Sequence, residues 1–222
     1  MPTTTAPDVN PALIHWAGPM GLPEFARIDD HDFAAAFAAA LPAHLAEIDA
    51  IANDPAVPTF ENTIVALELA GEMYGRVSGV FWNLSGANTN ETLQELEREL
   101  SPELSRHHST VMMNAALFAR IDALYQEAEN LSLDSEAARV LELTWKSFVR
   151  SGAKLDPVNQ NRLAEINERL ASLGTAFAQN VLADERDYAL VLETDDDLAG
   201  LPGFLISSMA AAAEERGHDG KH

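Results

Sequence analysis

Apolar positions recur along most of this chain at spacings of three and four, the signature of helices with one buried face. Phe33, Phe37, Leu41, Leu45 and Ile48 predict a first helix from about Asp30 to Ala52, with Pro42 inside it as an expected kink. Asn53-Asp54-Pro55 then breaks the chain. Phe60, Ile64, Leu67, Tyr74, Val77, Phe81 and Leu84 predict a second helix, with Thr59 as its N-cap and Glu61 in the first turn. Gly71 fills a gap in that stripe, where the lack of a side chain lets a neighbouring helix come close.

Asn88-Thr89-Asn90 caps a third helix, whose stripe of Leu93, Leu96, Leu100, Leu104 and Val111 passes through Pro102. A short helix near Leu117 to Ala128 follows, then one capped by Asp134 with Ala137, Leu141, Trp145 and Phe148 inward, ending near Gly152. Asp156-Pro157 starts the most regular amphipathic helix, with Leu163, Ile166, Leu170, Leu173, Phe177 and Val181, reaching about Ala183. The period then changes, and 187–193, Asp-Tyr-Ala-Leu-Val-Leu-Glu, reads as one short strand. A last helix is expected over about Pro202 to Arg216, with Gly217 as its C-cap.

The fold class is therefore mainly α: an irregular bundle of about seven helices with one short strand near residues 187–193. Residues 1–28, which hold Pro2, Pro7, Pro11, Pro19 and Pro23, are expected to form an extended or turning arm packing on the body through Leu13, Ile14, Trp16 and Phe25. Residues 29–222 form the helical domain. A lone strand has nowhere to place its backbone hydrogen bonds, so either the segment is not a strand or its partner lies outside the sequence.

Composition narrows the function. Fourteen basic residues against 35 acidic ones give a formal charge of −21, which repels phosphate backbones and anionic membranes. Neither nucleic acid nor membrane is an expected partner. There is no cysteine, hence no disulfide, thiolate metal site or cysteine nucleophile. The first residues lack the basic and apolar regions of a signal peptide, and the longest apolar run, Phe33 to Leu41, is too short to span a bilayer. The expected location is the cytoplasm.

A search for chemistry finds no catalytic centre. No histidines are arranged as His-Glu-x-x-His, and His107-His108 are helical neighbours pointing about 100° apart, read as surface or boundary residues. The one Glu-x-x-His match, Glu215 with His218, is interrupted by Gly217. Glu61, Glu68 and Glu72 read as a solvated helix edge. Tyr74, Phe81, Trp82, Trp145 and Phe148 read as core, and Asp195-Asp196-Asp197 as a loop or helix start. No catalytic, cofactor-binding or metal-binding residue is assigned.

Several stretches nevertheless form an ordered set. They are Asn10-Pro11-Ala12-Leu13, Gly21-Leu22-Pro23-Glu24-Phe25, Pro58-Thr59-Phe60-Glu61-Asn62-Thr63-Ile64 and Ala66-Leu67-Glu68. Phe81-Trp82-Asn83-Leu84, Asn88-Thr89-Asn90 and Ala116-Leu117-Phe118-Ala119-Arg120 come next. Phe148-Val149-Arg150-Ser151-Gly152-Ala153 and Phe177-Ala178-Gln179-Asn180-Val181-Leu182 complete it. Over about residues 9 to 217 this order resembles the N-terminal portion of the thimet-oligopeptidase-like zinc metallopeptidases, the bacterial peptidyl-dipeptidase (dipeptidyl carboxypeptidase) branch before oligopeptidase A.

The resemblance implies a helical wall of a deep substrate channel in a parent enzyme that removes C-terminal dipeptides from short unfolded peptides. It places the zinc site, a His-Glu-x-x-His motif plus a distant glutamate, in a C-terminal half that this sequence does not contain. The expectations are then zinc in the full-length parent and none in this fragment, a fragment inactive alone, and self-association through apolar surface meant for the other half. The alternative is a non-catalytic helical scaffold or peptide-binding module.

Overall fold

A computed structural model describes residues 9–222 of the chain. Two compact units divide at Ala176–Phe177, inside one helix.

The first unit begins with a four-residue helix, α1 (Pro11–Ile14), where Asn10 accepts a hydrogen bond from the Ala12 amide. Two 3₁₀ turns, Pro19–Gly21 and Phe25–Arg27, follow. The described part of the 1–28 arm is thus turning rather than fully extended, while the first eight residues lie outside the described region. Leu13 is fully buried, and Arg76 donates to the Ile14 carbonyl at 2.6 Å.

Helix α2 (Asp32–Ala52) runs through Pro42 without interruption. At 21 residues and a mean hydropathy of 1.3 it is long and apolar enough to cross a membrane by length and composition. Its apolar side is used inside the unit: Phe33 and Phe37 meet Phe81 edge-on, with ring centroids at 5.3 and 5.5 Å.

The expected second helix is three pieces. A π-helical turn, Phe60–Val65, opens with a capping box in which Thr59 and Asn62 exchange side chain to backbone hydrogen bonds. Helix α3 (Ala66–Leu69) follows, and the chain breaks at Gly71, whose φ of +79° is left-handed, before α4 (Glu72–Ala87). The expected close approach at Gly71 is present: a Cβ there would stand 2.9 Å from the His44 ring. The stripe continues across the break, but its pieces serve different clusters: Phe60, Ile64 and Leu67 pack in one, and Tyr74, Val77 and Phe81 in the other.

Helices α5 (Glu91–Met112), α6 (Ala115–Gln126) and α7 (Ser135–Arg150) are capped by Asn90, Asn114 and Asp134, each accepting a backbone N–H. Helix α5 also passes through its proline, Pro102. Helix α8 (Pro157–Asp187) starts as its sequence predicts, with Asp156 accepting from the Val158 and Asn159 amides. Those bonds, with the Asn159 side chain, hold the Asp156 carboxyl below the usual range.

The core has two clusters. One gathers Leu13, Phe33, Phe37, Val77, Phe81 and Leu93, and the other Ile48, Ile64, Leu117, Ile121, Leu141 and Phe148. Helix α8 contributes one buried residue, Thr175, which donates to Ser101 at 2.7 Å. Its regular apolar stripe faces outward in this unit, with Ile166, Leu170 and Leu173 39%, 60% and 47% exposed.

The second unit comprises the end of α8 from Phe177, an irregular segment, α9 (Gly203–Glu215) and the C-terminal residues. Here the sequence reading needs correction. Residues 187–193 are not a strand: the described residues contain none and are all-α, with nine α-helical segments of which α1 and α3 have four residues each. Asp187 ends α8, and the Tyr188 amide still donates to the Asp184 carbonyl. Only Leu192 finds a ladder-like partner, exchanging hydrogen bonds of 2.8 and 3.1 Å with His222. Ala189, Leu190 and Val191 instead share a cavity lining with Met209, Ala212 and Ala213 of α9. Leu190 stays 68% exposed, and these residues line a cavity beside a helix instead of pairing in a sheet.

Candidate functional site

The most chemically distinctive cluster lies in the first unit, among α2, α4 and α5. His44 occupies the apolar stripe of α2, between Leu41 of the first core cluster and Ile48 of the second. His107 does the same in α5, between Leu104 and Val111. The two therefore meet where the core clusters join. Nδ1 of His44 and Nε2 of His107 are 2.9 Å apart, so one ring donates and the other accepts. Tyr74 stacks on His44 at 5.4 Å and tilts against His107 at 5.2 Å.

Burial disfavours the charged imidazole on both residues. It pushes His107 down to about 4, helped by repulsion from His44 and His108. His44 is lowered by the same burial, which outweighs the attraction of Glu47. Glu47 is itself engaged, accepting the Gly71 amide at 2.6 Å. This is a neutral, mutually satisfied pair rather than a metal site. The two nitrogens face each other instead of converging on a third point, and the described residues hold no group of three or more His, Asp or Glu able to bind a metal ion.

A second polar feature is Arg120 on α6, only 7% exposed. It donates to the carbonyls of Asp54 and Ala56 at 2.8 and 3.1 Å, to Asn62 at 3.0 Å and to Thr63 at 3.3 Å. The Asp54 carboxylate stands 3.5 Å away. One guanidinium thus fastens the loop after α2 and the π turn to α6.

The residues singled out by sequence fall as follows. His107 is buried and His108 exposed, so the surface or boundary reading holds for His108 alone. Glu61, Glu68 and Glu72 are exposed on separate pieces of backbone. Phe81 and Phe148 are core; Trp82 is 41% exposed. Trp145 donates to Asp122 at 2.6 Å, stacks on Tyr125 at 4.1 Å and lies under the Lys154 ammonium. Asp197 closes a turn by accepting from Thr194 and the Glu193 amide, while Asp195 and Asp196 are exposed. Glu215 ends α9, and Gly217, with φ of +78°, turns the chain before His218. Sequence reasoning missed the His44–His107 pair, although each histidine sits at a stripe position of its helix.

No family model matches the chain. Known proteins do. It is 39% identical over 213 residues to the dipeptidyl carboxypeptidase of Escherichia coli, covering 96% of this chain and 31% of that protein. It is 37% identical over 208 residues to the dipeptidyl carboxypeptidase of Salmonella typhimurium, covering 94% and 31%. It is 24% identical over 211 residues to the oligopeptidase A of Salmonella typhimurium, covering 95% and 30%. The chain belongs to the thimet-oligopeptidase-like peptidase family.

It spans about a third of the length of these peptidases. Within the first unit of this peptidase region, three of the stretches that carry the resemblance touch one another. Arg120, at the end of Ala116–Arg120, holds Asn62 and Thr63 of Pro58–Ile64. Phe118 stacks with Phe148, which begins the 148–153 stretch, at 6.3 Å.

Proposed function

We propose that this chain is the helical N-terminal portion of a cytoplasmic zinc peptidyl-dipeptidase, forming one wall of a channel that admits short unfolded peptides. The observation that carries this reading is the 39% identity, along nearly the whole chain, to a dipeptidyl carboxypeptidase. In the parent, zinc supplies Lewis-acid activation of the scissile carbonyl and of a water, and a glutamate of the His-Glu-x-x-His motif acts as base. The described residues of this chain offer no ligand set for that metal; in this reading the zinc ligands belong to a further portion of the parent.

This region contributes shape and surface. The exposed Ile166, Leu170 and Leu173 on α8 support the reading that further protein covers this face, since a stripe of this regularity costs water contact when left bare. Shielded from nucleic acid and anionic membrane by its charge, the chain meets peptides and the catalytic portion.

The test uses the purified chain with added zinc and a short peptide substrate. No release of C-terminal dipeptide and no stoichiometric zinc are expected from the chain alone. Activity is expected when it is combined with the remaining portion carrying the motif. Hydrolysis by the chain alone, or full activity of the remaining portion without it, would overturn the proposal.

A further inference from the structure

The first unit carries a groove of about 310 Å³ between the π turn with α3 on one bank and the start of α7 on the other. Its floor is apolar: Ile64 is 1% exposed, and Val65, Ala137 and Val140 are half-buried. Leu69, 74% exposed, extends the apolar surface at one end. The rim is acidic on both banks, with Glu68 from α3 facing Asp134 and Glu136 from α7.

No lysine or arginine lines the groove among the described residues. The nearby cations are committed elsewhere. Arg139 and Lys146 both pair with Glu142, and Arg120 is buried against Asp54, Asn62 and Thr63. Asp134 already accepts the Ala137 amide as the α7 cap. Among the described residues, Glu68 and Glu136 have no ion-pair or hydrogen-bond partner. An apolar slot flanked by two uncommitted carboxylates is complementary to an apolar side chain between cationic ones.

We propose that this groove binds a short peptide segment that places an apolar side chain on Ile64, Ala137 and Val140 and flanking lysine or arginine side chains on Glu68 and Glu136. The Arg120 clamp makes one bank rigid in advance, by fixing Asn62 and Thr63 of the π turn to α6, so little ordering is required when a peptide docks. The inference does not depend on the catalytic reading: a chain that never supported hydrolysis would still bind such a peptide. Loss of one result therefore leaves the other standing.

The experiment is isothermal titration calorimetry of the 222-residue chain at low salt with the pentapeptide Lys-Leu-Arg-Leu-Lys, blocked at both ends, and its counterpart Glu-Leu-Glu-Leu-Glu. Saturable binding of the basic peptide alone is expected. The Glu68→Gln/Glu136→Gln variant should raise Kd roughly tenfold, the loss of two partly exposed charge pairs. The Glu95→Gln/Glu99→Gln variant changes net charge equally at two exposed positions of α5 and should leave Kd within about twofold. The carboxamide changes are on the surface, and circular dichroism checks that each variant is folded. Absence of saturable binding, equal binding of the acidic peptide, or an equal loss in the α5 variant would overturn the proposal; the last would reduce it to attraction by the overall charge of −21.

Discussion

Acidification should loosen the junction between the two core clusters, because His44 and His107 are held neutral there. His107 has a folded pKa of about 4 against an ordinary 6.5. The unfolded chain therefore binds more protons between these values, and stability rises with pH across the window. The contribution is complete above pH 6.5 and is lost as pH falls through 4. At pH 5 the unfolded imidazole is almost fully protonated and the folded one about a tenth, a difference of about 2 kcal/mol. The open side of the cluster, where His44 is half-buried, screens this to about 1–2 kcal/mol. His44 adds in the same direction. A second proton is opposed further by the first, since the two rings are in contact at 2.9 Å. The assay is urea unfolding followed by tryptophan fluorescence at pH 7.5, 6.5, 5.5 and 5.0, for the wild-type chain and for His44→Leu/His107→Leu. Replacing both partners leaves no orphaned polar atom in the pair, so the variant should stay folded and lose less stability than wild type between pH 7.5 and 5.0. An equal loss in both proteins, or a His107 ring that titrates near 6.5 by NMR, would refute the reasoning.

Three further outcomes follow from named contacts. Arg120→Met should cost about 3–5 kcal/mol, because the carbonyls of Asp54 and Ala56 and the Asp54 carboxylate lose a buried cation, whereas Arg120→Lys should recover part of it; thermal unfolding reads both. Gly71→Ala should cost about 2 kcal/mol in the same assay, since it forces a side chain into left-handed backbone and onto the His44 ring. Self-association of the chain should strengthen with added salt, which screens the −21 charge, and Leu170→Glu with Leu173→Glu should abolish it in sedimentation velocity; a monomer at all salt concentrations would contradict the assignment of the α8 face.

Much of the helical framework was readable in advance because its signals are local. Thr59, Asn90, Asp134 and Asp156 each satisfy an amide two or three residues away, so a short window of sequence contains the whole interaction. The stripes of α2, α5 and α7 likewise report one face of one helix. The errors arise where the outcome depends on distant chain. Residues 188–192 have the side chains of a strand, but strand formation is a property of a pair, and the segment meets α9 and His222 rather than a sheet. The break at Gly71 depends on His44, 27 positions earlier, whose ring occupies the space a Cβ would need.

The same separation of local from distant explains why the candidate chemistry was harder to read than the fold. His44 and His107 each look like a defect in an apolar stripe when taken alone, and only their meeting, 63 residues apart in sequence, turns two defects into one satisfied pair. The groove has the same logic: Glu68 reads as part of a solvated helix edge, and Glu136 draws no notice, until the Arg120 clamp fixes the π turn and α6–α7 packing brings α7 alongside. An exposed carboxylate is silent about function in one helix, but two of them on opposite banks of an apolar slot define a charge and a spacing. α8 is the converse case. Its stripe is the most regular in the sequence, yet within the first unit it buries a single residue, Thr175. Periodicity records that a helix is built to face something apolar, while the identity of that partner is a property of the assembled protein.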